Sequence, residues 1–186
     1  MFKQYFERPE ILLYLFSAAV PLSFATWQAL INNFAIEQVA FSGVEIGMLQ
    51  SLREVPGFIA FGVIFLLLII REQTVAFLAL IALGIGTAIT GFLPSIMGLY
   101  FSTVLMSMGY HYAETIQQSL SLQLVSRDRL PVVMGRQIAV GSFTGLIVFG
   151  ALFGFMEVLN VDYRWVYLTG GGLTVVIASF MYLKFP

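Results

Sequence analysis

The feature of this chain that most constrains its fold is a series of six long apolar segments. A helix needs about 20 apolar residues to cross the roughly 30 Å hydrocarbon core of a bilayer. The segments approach or exceed that length, with predicted bounds 11–34, 46–70, 75–93, 96–113, 132–156 and 166–183. The apolar run 58–70 does not alternate with polar residues, as a strand of a membrane β-barrel would. We therefore predict an all-α membrane protein, with six transmembrane helices in one domain over residues 1–186 and one longer connection over 114–131.

The scarcity of charge excludes several classes of protein. Charged residues make up 10% of the chain, whereas soluble domains carry about 25%. This is too little to cover a water-facing surface, which excludes a disordered protein and an ordinary cytosolic enzyme. The net charge of −1 gives no basis for binding nucleic acid. The chain has no cysteine, and we predict neither a metal nor a cofactor.

The first apolar segment has two interpretations. Lys3 and Arg8, followed by an apolar run to Val20, match the pattern of a secretory signal peptide. However, hydrophobicity resumes from Trp27 to Phe34, and the whole stretch then has the length of a membrane span. We expect a retained first helix.

The positions of lysine and arginine predict an orientation, because cytoplasmic loops keep the positive charge. With the N-terminus inside, the outer loops hold only one basic residue, Arg164. The inner side then holds Lys3, Arg8, Arg71, Arg127, Arg129, Arg136 and Lys184. We therefore expect both termini in the cytoplasm.

The fourth span carries a polar stripe. Its members are Thr103, Ser107, His111, Glu114 and Gln118. At about 100° per residue they fall within roughly 80° of one another. Such a stripe is costly in lipid, so it indicates the bundle interior or a water-filled cavity. Hydrogen bonds between helices, with no transport role, are the alternative. Histidine changes protonation near physiological pH, so His111 is a candidate proton carrier, or else a hydrogen-bond donor to a carbonyl.

The first and second spans carry polar residues at a similar depth. Arg53 lies about 10 Å below the start of the second span at 1.5 Å per residue. We expect an outer polar cluster of Gln28, Asn32, Gln50, Arg53 and Glu54. Because Arg53 and Glu54 are adjacent, their side chains should diverge by about 100° and find partners elsewhere. Snorkelling of these side chains to the outer interface is the alternative.

Further features concern the fifth span. Arg136 enters it by about 6 Å, at the depth of Glu114, so we predict that the two form an ion pair or share a water. Small residues four apart favour close helix packing. They occur as Gly141 with Gly145 and Gly150 with Gly154.

Two triplets suggest an internal repeat. The second span enters with Glu45, Arg53 and Gly62, and the fifth with Asp128, Arg136 and Gly145. The intervals are 8 and 9 residues in both triplets. The two spans enter the membrane from opposite sides, which predicts a 3+3 inverted repeat of the kind found in transporters. The first and fourth spans are both striped, and the third and sixth both lack ionisable residues in the membrane.

In these features the chain resembles the amino-terminal six-helix half of a major facilitator superfamily transporter of bacterial type. The resemblance covers the whole chain, and the stretches 45–58, 109–115 and 134–136 are similar to bacterial members. It implies half of that superfamily's fold and a bacterial inner-membrane location. It also implies secondary active transport of a small solute by alternating access, with a proton as a candidate coupled ion. A complete member has twelve spans, so we expect an incomplete chain whose second half lies on a longer chain or in a second copy.

These considerations assign roles to a few polar residues. The expected cavity-lining residues are Gln28, Asn32, Gln50, Arg53, Glu54, Ser107 and His111. The candidates for proton coupling or an ion pair are Glu114, Arg136 and His111. Arg53 is expected to attract an anionic solute. An enzyme is not expected, because there is one histidine and no Gly-x-Ser-x-Gly turn. A non-transporting membrane subunit or assembly protein and a six-helix homodimeric transporter are the alternatives.

Overall fold

Long helices account for almost all of the chain. The computed structural model describes residues 9–185, and no β-strand occurs within that range. Six long helices follow one another as α1 (Pro9–Val39), α2 (Gly43–Phe58), α3 (Glu72–Thr90), α4 (Ile96–Leu124), α5 (Leu130–Phe153) and α6 (Tyr163–Lys184). The all-α prediction is therefore confirmed. Lys3 and Arg8, which entered the signal-peptide and orientation arguments, lie outside the described residues.

Within residues 9–185, five helical segments are long and apolar enough to cross a membrane by length and composition. They are Glu10–Val39, Gly43–Leu67, Glu72–Thr90, Leu130–Val158 and Tyr163–Lys184. The remaining long helix, α4, has 29 residues and is also long enough to span. It is less apolar because it carries the polar stripe. These helices are those expected of a membrane-embedded protein.

The second span is interrupted, contrary to the continuous helix predicted over 46–70. It starts with a capping box, in which the Ser42 side chain accepts from the Val44 amide and the Glu45 carboxylate accepts from the Ser42 amide. The helix ends at Phe58 and continues as a 3-10 turn and one short α-helical segment, Val63–Leu67. Pro56 lies inside this helix, two residues before its end, and has no amide hydrogen to donate to the preceding turn.

The fourth span is longer than predicted. We placed a connection over 114–131, yet α4 continues as a helix to Leu124. The stretch after Glu114 is rich in glutamine and serine, so its hydropathy falls although its backbone stays helical. The polar residues of this extension contact α1 and α5, as described below. Hydropathy therefore marked the end of the apolar run and not the end of the helix.

The centre of the bundle is built from α1, α3, α4 and α6. The α3 helix packs extensively on α4 and α6, and α1 packs on α5 and α6. Glycines allow the closest approaches: a Cβ at Gly86 would lie 2.6 Å from Met106 Cα, and one at Gly171 would lie 2.5 Å from the Ala88 amide nitrogen. In the apolar 18-residue stretch of the segment Gly43–Leu67, which contains α2, only 17% of the residues are buried. In that of Leu130–Val158, which contains α5, only 11% are buried, so these two helices are peripheral.

The small-residue pattern of α5 does not make the close packing that its spacing indicated. A Cβ added at Gly145, Gly150 or Gly154 would meet nothing within 4 Å. At Gly141 it would make only an ordinary contact, 3.4 Å from the Ser17 carbonyl oxygen. Within the described residues, Gly141 therefore meets α1 at an ordinary distance, and Gly145, Gly150 and Gly154 pack against no helix.

Candidate functional site

Two clefts run along the faces of α1 and α4. The first, here called the charged cleft, has a volume of about 300 Å³ and is lined by Phe24, Arg53, Glu54, Tyr110, His111 and Glu114. The second, here called the amide cleft, has a volume of about 570 Å³ and lies between α1, α4 and α5. Its polar lining includes Gln117, Gln118 and Gln137. Both clefts share Phe24, Tyr110 and Glu114, so these three residues lie at their junction.

The structure brings together the five residues of the expected outer polar cluster. Arg53 Nη1 on α2 donates to Gln28 Oε1 on α1 at 2.8 Å. One turn earlier on α2, Gln50 Nε2 donates to Asn32 Oδ1 at 3.2 Å. These side-chain bonds connect α1 and α2, whose backbones make little direct contact. Whether the cluster binds a solute stays a prediction.

Arg53 and Glu54 pair directly, so the prediction that these neighbours would not satisfy each other is wrong, whereas the partner expected for Arg53 on another helix is present as Gln28. Arg53 Nη2 lies 2.6 Å and Nε lies 3.0 Å from the same oxygen, Glu54 Oε1. The long arginine side chain curls along the helix and spans the angle between neighbouring Cβ atoms, which Cβ directions alone do not anticipate. Arg53 also donates a hydrogen bond to Gln28, so its guanidinium group is bound largely by other protein side chains.

The polar stripe of α4 faces several different surroundings. Ser107 is buried and donates a hydrogen bond to the backbone carbonyl of Arg53, which joins α4 to α2. Thr103 is fully buried, and its hydroxyl has no hydrogen-bond partner among the described residues. The imidazole of His111 lies against Gly57, where an added Cβ would be 3.0 Å from His111 Nε2. Gly57 therefore leaves the room that the imidazole occupies.

Glu114 is held by an aromatic pair. Tyr110 Oη donates to Glu114 Oε1 at 2.8 Å. The Tyr110 ring stacks on Phe24, with centroids 4.0 Å apart and planes 14° from parallel. The structure does not bring Arg136 within ion-pair distance of Glu114, since the ion pairs between described residues join other groups. Arg136 is exposed on α5, and a water shared with Glu114 stays a prediction.

Sequence reasoning missed a glutamine network between α1, α4 and α5. Gln117 Nε2 donates to Ser17 Oγ at 2.6 Å and to Gln137 Oε1 at 2.8 Å. Gln137 Nε2 in turn donates to Ser121 Oγ at 2.9 Å. Gln117 and Ser121 are four apart on the extension of α4, but the predicted stripe followed Gln118 and stopped there. Gln118, the last member of the predicted stripe, is exposed in the amide cleft.

The chemistry that these clefts offer is ionic and hydrogen-bonding. Within residues 9–185, no three acidic or histidine side chains are grouped so that they could hold a metal ion. The charged cleft provides one arginine paired with one glutamate, one imidazole and one further carboxylate. The amide cleft provides glutamine and serine side chains that donate and accept. A comparison with known proteins finds no family model, no curated protein and no solved structure that matches this chain.

Proposed function

We propose that the chain is one six-helix half of a secondary active transporter that moves a small solute by alternating access. One observation carries this proposal: ionisable and amide side chains line two clefts that share Phe24, Tyr110 and Glu114, in a bundle that is largely apolar. Polar groups at membrane depth are costly, and they typically mark a solute or ion pathway. An anchor or a purely structural subunit has no need of clefts with such a lining.

The pairing of helices supports a 3+3 repeat of the kind found in transporters. Such a repeat makes α1 equivalent to α4, α2 to α5 and α3 to α6. The contact of α2 with α4 then corresponds to that of α5 with α1, and both contacts occur. Likewise the packing of α3 on α4 becomes that of α6 on α1, and the α3–α6 and α1–α4 pairs map onto themselves. The α1–α3 contact has no equally extensive α4–α6 counterpart.

A second six-helix half would cover the open side of the bundle. The α2 and α5 helices are the least buried, and Glu54 and Arg136 are exposed on them. Charged side chains within a membrane-spanning helix are unfavourable when they face lipid, so a polar protein surface is a better neighbour for them than acyl chains. This half would come from a longer chain or from a second copy. In the second case the protein would be a homodimer.

The contacts at one end of the bundle support a cytoplasmic location for it. Arg129 pairs with Glu10 at 2.9 Å, which joins the starts of α5 and α1. Gln123 Nε2 donates to Glu72 Oε2 at 2.5 Å, which joins the end of α4 to the start of α3. The basic residues at this end include Arg71, Arg127 and Arg129. Since cytoplasmic loops retain positive charge, we propose that this end faces the cytoplasm, with the bundle in a bacterial inner membrane.

Solute flux into proteoliposomes tests the proposal. The full-length protein is assayed with radiolabelled tetraethylammonium, alanine and lactate, which represent a cation, a zwitterion and an anion. We expect protein-dependent flux of at least one probe, reduced at least about tenfold by Glu114→Gln or Arg53→Gln. Glu157→Gln is the matched control, because Glu157 is exposed and lies outside both clefts. Flux of none of the three probes, or flux unchanged by both cleft substitutions, would contradict the proposal.

A further inference from the structure

We infer that Glu114 and the stacked Phe24–Tyr110 pair form a subsite for an organic cation. This inference rests on the proposed solute-binding role of the clefts and names the class of solute. It differs from the sequence-based expectation that Arg53 attracts an anion. The geometry that carries it is the junction of the two clefts, where these three side chains meet.

The balance of charge in the charged cleft favours a cation. Arg53 and Glu54 are joined by two short contacts and neutralise each other. Arg53 also donates to Gln28, so few of its donors remain for an incoming anion. Glu114 accepts a hydrogen bond from the neutral phenol of Tyr110, and no basic side chain of the described residues pairs with it. The cleft therefore contains one carboxylate without a countercharge, and a bound cation would supply it.

The aromatic pair adds a second feature that suits an organic cation. Phe24 and Tyr110 line both clefts, and their rings are stacked 4.0 Å apart. Aromatic faces attract ammonium groups, and most strongly where water is excluded. The hydrogen bond from Tyr110 to Glu114 keeps the phenol and the carboxylate together. An alkylammonium group beside Glu114 would thus contact a negative charge and apolar ring surface at once.

The volumes and lining of the clefts indicate what the rest of the solute resembles. The charged cleft measures about 300 Å³ and the amide cleft about 570 Å³. A cation placed at the junction would have room to extend beside Gln117, Gln118 and Gln137. These amides donate and accept hydrogen bonds without charge. The solute class that fits is a small organic cation with a polar, uncharged remainder.

Isothermal titration calorimetry of the detergent-purified full-length protein with tetraethylammonium chloride tests the subsite. We expect saturable binding that Glu114→Gln weakens at least tenfold. Phe24→Leu, which removes the ring and keeps an apolar side chain, should weaken it about threefold to thirtyfold. Glu157→Gln removes an exposed carboxylate outside both clefts and should leave the affinity unchanged. Matching size-exclusion profiles and thermal unfolding curves establish that the variants are folded.

The inference and the proposed function can fail separately. Absence of tetraethylammonium binding, or equal binding by the wild type and Glu114→Gln, overturns the cation subsite. If sodium lactate binds instead and its binding is lost in Arg53→Gln, the clefts take an anion, and the proposed transport role stands. Tetraethylammonium binding that requires Glu114, combined with an absence of flux for every probe, supports the subsite and contradicts transport.

Discussion

Substitution of Gly109 by alanine should destabilise the bundle by separating α3 from α4. A Cβ at this position would lie 2.6 Å from the Ala79 carbonyl oxygen and 2.7 Å from Leu83 Cα, and closer still to the Leu83 amide nitrogen. Carbon atoms prefer separations of about 3.5–4.0 Å, so the helices must move apart by about 1 Å. All three neighbours are backbone atoms, which cannot rotate away as a side chain can. Overpacking of this kind costs about 1–3 kcal/mol.

Gly145→Ala is the matched control. Its Cβ would meet nothing within 4 Å, yet it gains the same helix propensity, about 1 kcal/mol. The difference between the two variants therefore isolates the clash. At about 2–4 °C per kcal/mol, we expect Gly109→Ala to unfold about 2–12 °C below Gly145→Ala. Thermal unfolding of the detergent-purified protein, followed by circular dichroism, measures this. Equal melting temperatures would refute the close α3–α4 contact.

Two other substitutions test the glutamine network and the start of α6. Gln137→Leu removes a partner of the half-buried Gln117 and should lower the free energy of unfolding by about 1–3 kcal/mol. Gln118→Leu, at an exposed position, should change the free energy of unfolding little. Equal thermal unfolding of the two variants would contradict a stabilising network. Asp162 caps α6, and the side-chain hydrogen bond from Arg164, followed by that from its backbone amide, lowers the pKa of Asp162 below its ordinary value of 3.8. This stabilisation is present above about pH 3.8 and is lost as the pH falls through the lower folded-state pKa. The melting temperature should therefore fall more steeply with acid in the wild type than in Asp162→Asn. Parallel pH profiles of the two melting temperatures would contradict this stabilisation.

Features governed by apolar length and helical period were predictable from the sequence. Six apolar runs predicted six long helices, because in a membrane the backbone must satisfy its own hydrogen bonds. The rise of about 1.5 Å per residue predicted a similar depth for Gln28, Asn32, Gln50 and Arg53 on two helices, and the structure joins them by side-chain hydrogen bonds. Depth and face follow from counting residues along a helix, so clustering of this kind can be inferred from a single sequence.

Features that depend on side-chain conformation or on the identity of the neighbouring helix were not predictable. The pairing of Arg53 with Glu54 depends on a curled arginine, and Cβ directions do not contain that information. The glycines that pack closely, such as Gly109, are not those with the familiar spacing on α5, because spacing does not reveal which face has a neighbour. The network at Gln137 was missed because the predicted stripe of α4 did not include Gln117 and stopped at Gln118, before Ser121.

The proposed transport role requires that the clefts along α1 and α4 form an aqueous cavity that opens to the two sides of the membrane. The chain contains no cysteine, so single cysteines can be introduced without a background. A membrane-impermeant thiol reagent, applied separately from each side of sealed vesicles, tests for this cavity. It is applied to three single-cysteine variants, Gln118→Cys, Gln50→Cys and Leu78→Cys. Leu78 is an exposed apolar residue on α3, outside both clefts, and provides the control.

We expect Gln118→Cys to react from the cytoplasmic side and Gln50→Cys from the opposite side, while Leu78→Cys reacts from neither. Gln118 is exposed in the amide cleft. Gln50 lies outside both clefts, in the outer polar cluster beside Asn32, and Arg53 of that cluster lines the charged cleft. The contrary result is that Gln118→Cys and Gln50→Cys are as unreactive as Leu78→Cys from both sides. The polar side chains would then only join helices, and no aqueous pathway would exist between them.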